Sequence, residues 1–373
     1  MANVRELFSK KLGFGLMRMP IGADDKVDEA QVCDMVDHFL NEGFKYFDTA
    51  YVYHGGESEN IIKRCLVDRY PRDKFYLATK LPSFIIEKAE DMDRIFNEQL
   101  NKCGVEYFDL YLVHALNAKE YEKMNGFKAF EYVEKKRDEG KIRFVGFSFH
   151  DKAEVLDKIL NDHPEIDFVQ LQINYYDWDK SDVEARLCYE TATKHGKPVI
   201  VMEPIKGGSL SDPSEEATKL IKDEFNNTPS ALALSFVASL DNVMMVLSGM
   251  SSIEQMRENT ALMKDFKPLT DKDKELTKKI VEIIDSVPTI PCTGCKYCVD
   301  GCPMKIRING FFSLYNKDLK FGKGKYDKAS YERIGRDDFG KPSDCVECGA
   351  CENVCPQHIT IRDNLKKIAE CYE

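Results

Sequence analysis

No stretch of this 373-residue chain approaches the roughly 20 apolar residues that span a bilayer, so no membrane-crossing helix is expected. The N-terminus, MANVRELFSKKLGFG, lacks the apolar core of about 7–15 residues that marks a secretory signal. No basic block is present and the formal net charge is −11, a balance that argues against nucleic acid as a partner. Also missing is a glycine-rich fingerprint behind an early strand, which argues against a doubly wound dinucleotide-binding sheet. Cysteine, by contrast, is plentiful at 13 residues. Thiols without a secretory signal suit a reducing compartment, and a cytoplasmic location is expected. Hydrophobic residues at 43% and charged residues at 31% are ordinary for a globular enzyme.

Eight of the cysteines repeat one spacing: Cys292-x2-Cys295-x2-Cys298-x3-Cys302-Pro303 and Cys345-x2-Cys348-x2-Cys351-x3-Cys355-Pro356. This is the bacterial ferredoxin run, in which three thiolates hold one [4Fe–4S] cluster and the fourth reaches across to the other. Four-thiolate zinc is the competing reading, but a zinc ribbon needs only two cysteines per half. Crossed ligation predicts that Cys292, Cys295, Cys298 and Cys355 share one cluster, and that Cys345, Cys348, Cys351 and Cys302 share the other. Residues 303–344 then form an excursion from the cluster core, and its rings (among them Phe311, Phe312, Phe321, Tyr326 and Tyr331) are expected to pack. Cys33, Cys65, Cys103, Cys188 and Cys371 show no ligand spacing and are expected as free thiols.

Ahead of the cysteines, apolar runs alternate with amphipathic helical patterns. Candidate strands are Leu12–Met19, Phe44–Ala50, Phe75–Lys80, Phe108–Ala115, Ile142–Phe149, Phe168–Tyr175, Pro198–Pro204 and Val243–Met250, with helices near 28–42, 57–69, 87–103, 121–139, 151–161, 181–195, 229–240 and 252–264. Eight strand–helix units over about 250 residues predict a (β/α)8 barrel. The expected organisation is a barrel over 1–270, a helical linker over 271–287, and a small dicluster ferredoxin-like domain over 288–373.

Barrels of this type do chemistry at the C-terminal ends of their strands. The second candidate strand ends in Asp48-Thr49-Ala50, with Tyr53 close behind; the third ends at Lys80 and the fourth reaches His114. Asp48 can hold the Lys80 ammonium, whose charge favours the ionised form of Tyr53 and lowers its pKa. Tyr53 can then protonate a carbonyl oxygen as a hydride arrives at carbon, with His114 orienting that oxygen.

Through Phe47-Asp48-Thr49-Ala50-x2-Tyr53, with Gly56 and Glu57-Ser58-Glu59 behind it, residues from about 11 to 266 resemble the aldo-keto reductase superfamily. Lys80 and His114 fall where that family keeps its other two catalytic residues. The whole chain resembles the branch with a C-terminal double-cluster domain. The resemblance implies NAD(P)H-linked reduction of a small carbonyl substrate. It further implies that Ser148 and Gln172 grip the nicotinamide carboxamide, with Phe149 standing where the family has an Asn. Met202 stands where a tyrosine usually stacks on the nicotinamide. Gln255 and Asn259 align with adenosine contacts, and Gln255 replaces an arginine common in NADPH-preferring members.

The loops carrying Gly207-Gly208 and Ser248-Gly249 follow strands seven and eight, the usual phosphate site of such barrels. They suit a dinucleotide, and equally the single phosphate of FMN. Two function classes therefore stand side by side. One is a carbonyl reductase whose clusters relay electrons. The other is an electron-transfer module, flavin-containing or not, that docks a ferredoxin or flavoprotein; purely structural clusters are a third option.

Overall fold

The computed structural model describes residues 4–23, 26–292, 294–321, 328–336, 338–355 and 357–373. Two residues singled out above, Tyr326 and Pro356, lie outside them. The chain divides into two compact units, Met1–Gly207 with Ala231–Lys274, and Gly208–Ser230 with Glu275–Glu373.

Eight parallel strands close the first unit into a barrel in chain order. They are β1 (Leu12–Gly15), β2 (Tyr46–Asp48), β3 (Tyr76–Pro82), β4 (Phe108–Leu116), β5 (Ile142–Phe149), β6 (Phe168–Gln172), β7 (Val199–Met202) and β8 (Val243–Gly249). Closure is by β8 on β1, with Gly15 beside Gly249. Side chains alternate across each strand, and the alternation sorts the apolar residues into two layers. Tyr46, Ala78, Leu110, Leu112, Phe144, Phe168 and Ile200 fill the barrel interior. Phe47, Leu77, Tyr111, Val145, Phe147, Val169 and Val201 pack outward beneath the helices. From β2 to β7 the inward positions are the even-numbered ones. Asp48, Lys80, His114, Ser148, Gln172 and Met202 share that parity, so the strands aim them into the mouth of the barrel.

Departures from the sequence expectation have local causes. The first strand stops at Gly15 and turns into a 3-10 segment, Leu16–Arg18. The helix expected over 121–139 is two, Ala118–Gly126 and Ala129–Asp138, because Lys128 between them is left-handed at φ 58°. The pattern over 57–69 opens as an α-helix, Ser58–Ile62, and widens into a π turn, Lys63–Val67. Among the described residues, no helix is long and apolar enough to cross a membrane.

In the second unit, Ile306, Ile308, Phe311, Phe312, Leu314, Tyr331, Ile361, Leu365 and Ile368 form a core of their own with Cys298 and Cys351. The rings of the 303–344 excursion do pack: Phe311, Phe312, Phe321 and Tyr331 are buried. Tyr331 stacks on Tyr372 at 5.0 Å with ring planes 3° apart. The segment after β7, long for a barrel loop, carries a helix, Glu215–Phe225.

Candidate active site

At the ends of β2 and β3, the Lys80 ammonium donates to Asp48 Oδ1 at 2.5 Å and to the Thr49 carbonyl at 2.6 Å, and lies 3.3 Å from the Tyr53 hydroxyl. Lys80 and Asp48 are both buried, which strengthens their attraction and forbids either to stand alone. Below them, Tyr46 and Gln170 donate to Asp48 Oδ2 at 3.2 and 3.3 Å. Tyr53 sits half-buried in a turn, Tyr53–Gly56, that His54 and Gly55 make possible with positive φ. The His114 ring meets the Tyr53 ring edge-on at 6.1 Å, and its buried Nδ1 has no hydrogen-bond partner.

The electrostatics differ in one respect from the sequence expectation. Burial raises the Tyr53 pKa, the Lys80 charge pulls it down, and Asp48 pushes it up again; the net shift is upward. The expected lowering by Lys80 is thus real but outweighed by desolvation. Burial alone would lower Lys80, but Asp48 and Tyr53 reverse this and hold it charged. His114 is driven well below the ordinary imidazole range by burial and then by Lys80. The site therefore offers a neutral phenol, a charged ammonium and a neutral imidazole at neutral pH.

A further shell, not foreseen from sequence, supports the strand ends. Thr49 and Ser58 hydroxyls meet at 2.8 Å. Glu59 Oε1 accepts from Thr79 and from Gln99, both at 2.7 Å, and Gln99 also donates to the Lys80 carbonyl at 3.0 Å. The Asp-Thr-Ala and Glu-Ser-Glu segments are thus two sides of one hydrogen-bonded wall.

The residues expected to bind a nucleotide fall into three situations. Ser148 Oγ accepts from the Ala115 amide at 2.7 Å, and Gln172 Nε2 donates to Asp177 at 3.2 Å. Met202 ends β7, half-buried. Phe149, where an amide would be wanted, ends β5 and is buried in the layer between strands and helices; its ring offers no hydrogen bond. Ser248 is buried and accepts from Asn259 Nδ2 at 3.1 Å, whereas Gln255 caps its own loop by accepting from the Ser251 amide at 2.8 Å.

Arg18 joins the two glycine loops. A Cβ on Gly249 would stand 3.2 Å from Arg18 Cβ, and one on Gly207, left-handed at φ 63°, would stand 3.2 Å from Arg18 Nη2. The Ser251 hydroxyl also donates to the Arg18 carbonyl at 2.9 Å. Arg18 carried no motif signal; only its place three residues after Gly15 marks it. Gly208, the next glycine, is counted with the second unit.

In the second unit, the eight motif cysteines line two pockets. Cys292, Cys295, Cys298 and Cys355 line one, and Cys302, Cys345, Cys348 and Cys351 line the other. Each set takes three cysteines from one motif and one from the other, the grouping expected for crossed ligation. Among the described residues no three of these side chains converge as a single-ion site, and four cysteines lining one pocket suit a cube of iron and sulfide. The five remaining cysteines are free, and of these Cys65, Cys103 and Cys188 are buried.

The Aldo/keto reductase family model matches residues 11–282, and the 4Fe-4S dicluster domain model matches residues 291–361. The chain is 25% identical over 320 residues to the probable aldo-keto reductase 1 of Glycine max, covering 77% of this chain and 88% of that one. It is 24% identical over 305 residues to the L-galactose dehydrogenase of Arabidopsis thaliana, covering 75% and 92%. Its fold is similar to that of an aldo-keto reductase from Klebsiella pneumoniae in complex with NADPH, with a TM-score of 0.59 and 20% identity over 73% of this chain and 90% of that one. Barrel, site geometry and family matches agree: the chain belongs to the aldo/keto reductase family of oxidoreductases, and it carries a C-terminal 4Fe-4S dicluster domain.

Proposed function

We propose that this protein reduces a small carbonyl substrate with NAD(P)H at Asp48, Tyr53, Lys80 and His114, and that two [4Fe–4S] clusters relay electrons in the same chain. The observation that carries the reading is the Lys80 ammonium, shared between Asp48 and the Tyr53 hydroxyl.

Bound NAD(P)H supplies a hydride. The chain's own task is to receive the charge that the hydride leaves on oxygen. Tyr53 presents its hydroxyl proton to that oxygen, and the neighbouring Lys80 charge stabilises the phenolate left behind. His114, held neutral, offers a hydrogen bond to the same oxygen without competing as an acid. Asp48 keeps Lys80 in place, and Tyr46 and Gln170 satisfy the remaining carboxylate oxygen. Thr49 lends only its backbone carbonyl to Lys80.

Three features support a nucleotide at the mouth. They are the orphaned His114 Nδ1, Gln172 at the inward end of β6, and the close approach of Arg18 to Gly207 and Gly249, which sets a guanidinium against the two glycine loops. We assign Arg18 to the nucleotide phosphates, and Ser148, Gln172, Met202, Gly207, Ser248, Gly249, Gln255 and Asn259 to the wider nucleotide site. FMN remains the alternative occupant of the phosphate loops.

For the second unit, we assign the two cysteine sets as the ligands of two [4Fe–4S] clusters, which pass one electron at a time. Cys295 and Cys348 are exposed members of the two sets, and a ferredoxin or flavoprotein is the fitting external partner.

The test is direct. Protein purified without oxygen is offered NADH and NADPH with a panel of aldehydes and ketones. Tyr53→Phe should lose carbonyl turnover by about 10²–10⁴-fold while binding the nucleotide as the wild type does. Unchanged turnover in Tyr53→Phe would overturn the mechanism.

A further inference from the structure

Asp177 belongs to no motif and lies between β6 and the helix Ala185–Lys194, yet it is 1% exposed. Three side chains converge on it. Lys206 Nζ meets Oδ1 at 2.5 Å, whereas Asn174 Nδ2 and Gln172 Nε2 donate to Oδ2 at 2.8 and 3.2 Å. The Asp177 amide returns a bond to Asn174 Oδ1 at 2.8 Å, which locks the turn. A buried carboxylate with this many donors has a definite place in the fold.

The chemistry of the cluster fixes the direction of the Gln172 amide. A carboxylate paired with an ammonium only accepts hydrogen bonds, so the Gln172 nitrogen must face Asp177. Its Oε1 then points away, free to accept from an N–H. The nicotinamide carboxamide carries such a group. Because residue 149 is a phenylalanine, no second amide at that position shares the task. Asp177 Oδ1 meanwhile holds Lys206, which has φ 49° and immediately precedes Gly207 beside Arg18. One carboxylate thus touches both the residue facing the nicotinamide and the loop facing the phosphates.

We propose that Asp177 is a positioning residue that orients the Gln172 amide to accept from the cofactor's carboxamide N–H, and that it ties this contact to the phosphate loop through Lys206. The proposal rests on the nucleotide-binding reading above.

The experiment measures equilibrium binding of reduced dinucleotides by fluorescence to the intact, cluster-loaded protein. Two probes are compared: NAD(P)H, and its 3-acetylpyridine analogue, in which a methyl ketone without an N–H replaces the carboxamide. The wild type should prefer the carboxamide form by about tenfold, the effect of one hydrogen bond. Asp177→Asn lets Gln172 turn over, and its preference should fall to near unity. Lys206→Met should weaken both probes alike and leave the preference intact, because Asp177 still holds Gln172. Where Asp177→Asn fails to fold, Asp177→Glu, which moves the charge by one methylene, reads the same ratio and should also lower it. A full preference in a folded Asp177 variant, or equal weakening of both probes, overturns the role of Asp177 and leaves nucleotide binding standing. No binding of either probe by the wild type overturns the nucleotide reading, and the role of Asp177 with it.

Discussion

The Lys80 ammonium stands 2.5 Å from Asp48 Oδ1 and 3.3 Å from the Tyr53 hydroxyl, so one buried cation serves a carboxylate below and a phenol above. The shorter contact holds the charge in place, and the longer one leaves the phenol free to give up its proton. The arrangement makes Lys80 the residue in contact with both Asp48 and Tyr53.

That linkage has a pH signature. Burial, only partly offset by Lys80, holds the Tyr53 pKa above that of a free tyrosine, which is about 10. Carbonyl reduction needs the protonated phenol, so its rate should stay level through neutral pH and fall only when pH rises past the tyrosine's raised value. Lys80→Met removes the downward pull and should move that alkaline limb still higher, with kcat lowered by about 10²–10⁴-fold because the phenol becomes a weaker acid. A kcat profile across alkaline pH checks both. An alkaline limb that moves down in Lys80→Met would contradict the assignment of Tyr53 as the acid.

The close pass of Arg18 over Gly249 gives a second expectation. In Gly249→Ala the new methyl meets Arg18 carbons at 3.2–3.4 Å, so the arginine must shift by a few tenths of an ångström. Nucleotide affinity should drop by about 3–10-fold, in line with weakening one charge-assisted contact. Titration with NADPH in low and high salt measures it. An affinity equal to the wild type's in both would remove Arg18 from the phosphate site.

The two cysteine sets predict how the iron divides. Cluster-loaded protein should contain about eight irons and eight acid-labile sulfides per chain. Cys302→Ser should perturb the cluster beside Cys345, Cys348 and Cys351, and Cys355→Ser the one beside Cys292, Cys295 and Cys298. Paramagnetic resonance of each reduced variant should show a different cluster altered. Stoichiometric zinc without sulfide would falsify the assignment.

Electron counting supplies the last expectation. A nicotinamide surrenders two electrons as hydride and a [4Fe–4S] cluster takes one, and a flavin is the usual converter. If the clusters work in turnover, a flavin takes part, in the barrel or on a docked partner. NADH or NADPH added to flavin-free protein should therefore leave the cluster absorbance unchanged over the time of many turnovers. Rapid bleaching by either nucleotide alone would show that no converter is needed.

The sequence carried the barrel because its strands are near-continuous apolar runs, and it carried the tetrad because Asp48, Lys80 and His114 close three successive runs. The cysteine spacing carried the grouping of the two sets. What was hidden depends on parity and on irregular backbone. The burial of Phe149 against the helices was not legible from its motif, because it depends on which way the last residue of β5 turns. Gln170 supports Asp48 from four strands away, a relation visible only once the barrel closes. Asp177 and Lys206 lie in turns, where periodicity says nothing about direction. Arg18 follows a strand that stops earlier than its apolar run, because the chain tightens into a 3-10 turn after Gly15.

The interleaving of the two cysteine sets also bears on the order of synthesis. Cys292, Cys295 and Cys298 leave the ribosome well before Cys355, which completes their pocket. At about 5–20 residues per second the wait lasts several seconds. During that interval three thiols of the first set and Cys302 of the second are presented without their partners. A nascent chain is thus most vulnerable to oxidants and stray metals between the synthesis of Cys298 and that of Cys355, and delivery of iron and sulfide has to await the second motif.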